Sequence, residues 1–316
     1  MANPTTPATA PGPDEVAARA ERLSAASLRR VVDPDLDLPG RVGEGRLLPD
    51  ELLSVAGLDL DLTEQQRAAL GREEVAAIMD AGIRFEAVLM AGFAMMVLRH
   101  EDLDDPRVTY MLHEVGEETR HSRAFARVIG QVAPRARNPL MGRAVQALDR
   151  ATLPILLNMP AFFVVMVLSG EEIPDLFQKL ASEHPGTDPH LAEVARYHRM
   201  EEARHLGFAR AVLPELWREA GPVQRFLVRC VAPAAITSLF TTIVHPGVYA
   251  VVGLPRWSTW RAANRTPERL DLKHRALRPL LDTLVDAGVV RRGRIPAGWR
   301  RLCGVDRTGT PLPQAR

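Results

Sequence analysis

Glu117-Glu118-Thr119-Arg120-His121 and Glu201-Glu202-Ala203-Arg204-His205 are near-identical pentapeptides, and their reading decides the fold. Each lies in a segment rich in helix formers and contains Glu-x-x-His. Residues three apart share a helix face, so Glu118 with His121, and Glu202 with His205, can reach the same ion. Upstream of each pentapeptide is a glutamate in an apolar helical run: Glu86 in IRFEAVLMAGF (83–93) and Glu171 after FFVVMVLSG (162–170). Glu86 lies 32 residues before Glu118 and Glu171 lies 31 before Glu202, so the chain carries one motif twice. Glu172 competes with Glu171 for that place. His198, four residues before Glu202 and seven before His205, falls on their helix face and reads as a third histidine.

That pattern meets a known physical requirement. Di-iron carboxylate bundles take one glutamate from each of two helices and Glu-x-x-His from each of two others, all pointing inward. A glutamate buried in an apolar helix costs several kcal/mol unless its charge is compensated. Two cations between four glutamates supply the compensation, and carboxylate with imidazole suits iron. The expected ligands are Glu86, Glu118, His121, Glu171, His198, Glu202 and His205, holding two iron ions (Fe2+/Fe3+). Glu117 and Glu201 are expected outside this set, at the surface or supporting it. Arg120 and Arg204 either clamp ligand carboxylates or face solvent.

Outward from the site, helix formers dominate and alternating β-branched runs are almost absent, which predicts an all-α fold. Helices are expected over 14–32, 64–79, 80–101, 105 to about 129, 190–212 and 267–289, with apolar helical segments through 222–252. One long apolar helix is expected to run to Gly170 and on, straight or kinked, to about Ser182. Asp105-Pro106 and Asp188-Pro189 are N-cap signals with proline at the first helical position. Residues 1–13 read as a disordered tail, 14–290 as a single domain, and 291–316 as an irregular basic tail. The stretches 151–170 and 231–255 reach membrane-spanning length, but fully buried helices of a large bundle look the same. We therefore expect no stable membrane insertion. Lys and Arg total 40 against 39 Asp and Glu, so no electrostatic footprint for nucleic acid is present. Two cysteines exclude a disulfide scaffold and a cysteine-held cluster, in keeping with a cytoplasmic protein.

At these residues the chain resembles the AurF-type p-aminobenzoate N-oxygenases, which are ferritin-like di-iron oxygenases. The likeness rests on Glu86, EETRHS (117–122), Glu171 and YHRMEEARH (197–205), with lead-ins LPDELLS (48–54) and LTEQQRAALGREE (62–74), and covers roughly 47–290. It implies a ferritin-like helical bundle with extra flanking helices and O2 as co-substrate. It also implies an amine substrate, taken through hydroxylamine and nitroso stages towards a nitro compound in specialised metabolism. Glu118 with His121 would serve one iron and Glu202 with His205 the other, with Glu86 and Glu171 completing or bridging the pair and His198 adding an imidazole. Electrons would come from a reductase or ferredoxin, and a homodimer is expected. C–H oxidation and ferritin-like iron handling are the competing readings. Five residues before Glu86, where a cation for a substrate carboxylate is plausible, stands Ala81. Leu89, Met90, Phe93 and the run 163–168 either line a substrate pocket or form plain core.

Overall fold

Thr63 accepts from the Gln66 backbone N–H while the Gln66 side chain accepts from the Thr63 backbone N–H, and this capping box starts the longest helix. In the computed structural model, which describes residues 12–313, the helices are α1 (Pro13–Arg29), α2 (Pro34–Asp37), α3 (Glu64–Arg99), α4 (Pro106–Val132), α5 (Arg143–Leu157), α6 (Pro160–Glu183) and α7 (Pro189–Glu219). There follow α8 (Pro222–Phe226), α9 (Ala232–Thr242), α10 (Gly247–Val251), α11 (Arg256–Ala263), α12 (Pro267–Asp286) and α13 (Ala297–Cys303). Among the described residues there is no strand, only an isolated bridge between Val305 and Pro311. The fold is all-α.

The proline-marked caps fall where the sequence places them. Asp105 accepts from the Arg107 N–H at 2.8 Å to open α4, and Asp188 accepts from the Leu191 N–H at 2.9 Å to open α7. Instead of two helices over 64–101 there is one of 36 residues, about 54 Å long at 1.5 Å per residue. Asp80-Ala81-Gly82 does not break it. Asp80 pairs with Arg84 one turn on, at 2.9 Å, and Gly82 lets the Phe125 ring of α4 pack close.

Two antiparallel pairs position the site. On α3 and α4, Glu73 accepts from the Arg135 and Ala136 N–H groups at one end, and Glu86 accepts from Ser122 nearer the other. On α6 and α7, Asp175 pairs with Arg199 and Glu172 with Arg210. The helix α1 packs against α4 and α7, and α12 packs against α6. These are the extra flanking helices.

Three expectations are corrected. The long apolar helix is two helices bent by 114°, because Asn158 and Met159 leave helical geometry ahead of Pro160. Residues 161–170 are almost wholly buried, whereas none of 151–160 is, so a buried-core helix over 151–170 holds only for its second half. The tail after 290 is not irregular throughout: it carries α13, whose Trp299 is 0% exposed and donates from its indole N–H to the Val228 carbonyl at 3.1 Å. Of the expected disordered tail, residues 1–11 lie outside the described residues, and Pro13 opens α1. By length and composition alone, Glu64–Arg99 and Pro222–Val251 could each cross a membrane, with 22% and 33% of their apolar windows buried in the protein.

Candidate metal centre

The two long helix pairs bring all seven predicted ligands into one buried cluster. Glu86 comes from α3, Glu118 and His121 from α4, Glu171 from α6, and His198, Glu202 and His205 from α7. None of them is more than 3% exposed. Between Glu171 and Glu172 the fold chooses clearly. Glu172 turns to the Arg210 guanidinium, whereas Glu171 is 2% exposed and its Oε1 is buried without a hydrogen bond.

The histidines set the geometry. His121 Nδ1 lies 3.1 Å from Glu118 Oε2 and 3.2 Å from Glu202 Oε1. His205 Nδ1 lies 3.2 Å from Glu118 Oε1 and 3.1 Å from Glu202 Oε2. Each of these two glutamates therefore spans both histidines, one oxygen to each. Glu118 and Glu202 would therefore be the carboxylates shared by two ions, one at each histidine, with Glu86 and Glu171 completing the set. Glu86 Oε1 stands 3.3 Å from His198 Nε2. Phe125 stacks on His198 with centroids 4.9 Å apart and fixes that ring.

Glu117 and Glu201 are not surface residues. Both are buried, and each supports the histidine of the other half: Glu117 faces His205 Nε2 at 2.8 Å, and Glu201 faces His121 Nε2 at 3.0 Å. An Nε2–H donated outward leaves Nδ1 free to face an ion. Arg204 donates to Glu117 at 2.7 Å and Arg120 to Glu201 at 3.3 Å, so the arginines clamp the supporting glutamates rather than the ligands. Burial alone would push the Glu117 carboxyl up. The hydrogen bond with His205, with the charges of His205 and Arg204, outweighs it and holds the group at about 2. Every residue of Glu-Glu-x-Arg-His except the middle one thus has a part. We expect Glu117→Ala to weaken metal retention about 10–100-fold, the usual effect of losing an outer partner. Metal loss to a chelator, followed over time, checks this, and a release rate equal to wild type would refute it.

Whether the set fits a metal pair can be judged from its protons and its orphans. Burial pushes Glu86 and Glu171 up, while surrounding carboxylates outweigh burial and push His121 and His205 well above the ordinary range. A metal would oppose both shifts, since its ligands must be deprotonated. Glu171 Oε1 is buried with no hydrogen bond. Three groups of side chains offer atoms close enough to share an ion: Glu86, His121 and His198; Glu118, His121 and Glu202; and Glu114, Glu118 and His205. A pair of hard or borderline divalent ions satisfies these demands together.

Sequence reasoning missed Glu114. It is 0% exposed, and the signal was available: it stands four residues before Glu118 as His198 stands four before Glu202. Beside the cluster lies a cavity of about 50 Å³ touching Glu86, Glu171 and His198 and lined by Ala81, Phe85, Ile173 and Gln178 among others. Leu89, Phe93 and residues 163–165, 167 and 168 are buried core; the cavity lies nearer the start of α3. Gly170 gives it shape, since a Cβ there would meet the Phe85 ring at 1.6 Å.

A family model described as P-aminobenzoate N-oxygenase AurF matches residues 13–288, so the likeness begins at α1 rather than near residue 47. Among curated proteins the chain is 28% identical over 185 residues to "Uncharacterized protein Rv0885" of Mycobacterium tuberculosis and to "Uncharacterized protein Mb0909" of Mycobacterium bovis. Each alignment covers 58% of this chain and 54% of the relative, so the match spans about half the length of those proteins.

Proposed function

Because the chain belongs to the P-aminobenzoate N-oxygenase AurF family, we propose that it is an O2-dependent di-iron N-oxygenase acting on an amine that carries no carboxylate. The observation that carries the substrate class is the cavity beside Glu86, Glu171 and His198, which has no Lys or Arg in its lining. Ala81 lines it where a cation would hold a carboxylate, and nearby Arg84 is half-exposed and paired with Asp80. A buried carboxylate facing apolar walls would go uncompensated at a cost of several kcal/mol. A neutral arylamine meets no such penalty.

Bound iron supplies the activation of dioxygen. The protein's part is positional. Apolar walls exclude bulk water, and the Glu86–Glu171–His198 side of the cluster is the one that an amine in the cavity meets. Gln178 is the polar side chain in that lining outside the ligand set, and its Oε1 is buried without a hydrogen bond. It accepts from a donor on the substrate. The first oxidation takes amine, O2, two electrons and two protons to hydroxylamine and water. An external reductase or ferredoxin delivers the electrons, and we read the enzyme as a cytoplasmic homodimer.

The test is product analysis after the reduced, iron-loaded protein meets O2 with paired substrates, p-aminobenzoate and its methyl ester. We expect hydroxylamine, nitroso or nitro products chiefly from the ester, and Ala81→Arg to shift the preference towards the acid. Oxygen consumption with no N-oxidised product from any amine would refute the reading in favour of C–H oxidation.

A further inference from the structure

The two halves of the cluster are related by the repeated motif, and at one position they differ in chemistry. His198 stands four residues before the bridging Glu202, and Glu114 stands four before the bridging Glu118. His198 groups with Glu86 and His121 at one end, and Glu114 groups with Glu118 and His205 at the other, with ligand atoms within 4.8 Å of one another. Glu114 is 0% exposed, and both of its carboxylate oxygens lack a hydrogen bond. No arginine, lysine or histidine forms an ion pair with it among the described residues. A buried carboxylate with two unpartnered oxygens is costly unless something cationic meets it.

We propose that Glu114 is an additional carboxylate ligand of the metal ion on the His205 side, the counterpart of His198 on the other ion. The proposal rests on the metal-pair reading above and goes beyond its seven residues. It makes the two positions unlike: one end has two imidazoles and the other has an extra hard oxygen donor. The ends therefore bind metal in two separable steps, and the His205 side is the more carboxylate-rich.

Anaerobic titration with Mn(II), a redox-silent probe, distinguishes the roles. Wild type is expected to bind in two steps. Glu114→Gln, nearly isosteric, is expected to loosen one step by more than about tenfold while sparing the other. His198→Ala should loosen the opposite step, and the double variant both. Metal-free melting separates ligation from a structural role. Replacing a buried carboxyl that makes no hydrogen bond should leave the apo melting temperature of Glu114→Gln at or above wild type, whereas a side chain that holds the fold would lower it. Wild-type constants for both steps in Glu114→Gln would overturn the proposal and leave the metal pair standing. A wild-type chain that binds no Mn(II) or Fe(II) would remove both.

Discussion

Glu118→Ala is expected to empty both metal positions, lowering bound iron from about two per chain to background. The reason is geometric. Glu118 stands between His121 Nδ1 and His205 Nδ1, at 3.1 and 3.2 Å, with a different oxygen towards each. Removing a terminal ligand weakens one ion, but removing a carboxylate that spans the two histidines takes a donor from each. It also brings the two cations to face each other with one fewer negative charge between them. His198→Ala is the contrast, because His198 contacts Glu86 and Glu202 at one end of the cluster and is expected to cost metal at that end alone. Elemental analysis of the two variants reads the difference directly. One tightly held iron in Glu118→Ala would mean that Glu118 is a terminal ligand and that the bridge lies elsewhere. Loss of the metals should also show in stability, since a ligand at a hundred times its Kd adds about 2.7 kcal/mol to the folded state.

The second large effect lies far from the cluster. Trp299→Ala is expected to destabilise the fold by about 3–5 kcal/mol, the range for truncating a buried aromatic. Trp299 is fully buried, packs in the main core with Leu302, Cys303 and Val228, and donates to the Val228 carbonyl. Alanine leaves both a void and a carbonyl without its partner. Against a typical total of about 5–15 kcal/mol, the loss is large. Denaturant unfolding measures it. A change below about 1 kcal/mol would show that α13 is an appendage rather than part of the core.

These expectations also mark what could be read from residues alone. Repeated Glu-x-x-His, upstream glutamates at matched spacing and Asp-Pro caps lie within single helices, where i, i+3 and i+4 relations fix a shared face. The seven side chains placed in one cluster were therefore legible. Contacts between helices were not. That Glu117 supports His205 and Glu201 supports His121 depends on how α4 and α7 cross, which no spacing encodes. The same holds for Glu118 and Glu202, each of which turns one oxygen to either ring. Glu114 is a different failure: the reasoning that selected His198 applied equally to it. In the tail, basic residues and Pro/Gly punctuation hid a helical stripe. Ile295, Trp299, Leu302 and Cys303 are spaced as one helix face and are all buried. The break at Asn158-Met159 was signalled by Pro160 but overridden by the apolar run on both sides.

Iron stoichiometry tests the central claim most directly. The protein, made metal-free and then reconstituted anaerobically with excess Fe(II), is freed of unbound metal and assayed for iron per chain. The cluster described here predicts about two ions per chain, both lost when Glu118 is replaced by alanine. A value of one or none in wild type, or two retained in Glu118→Ala, would contradict it.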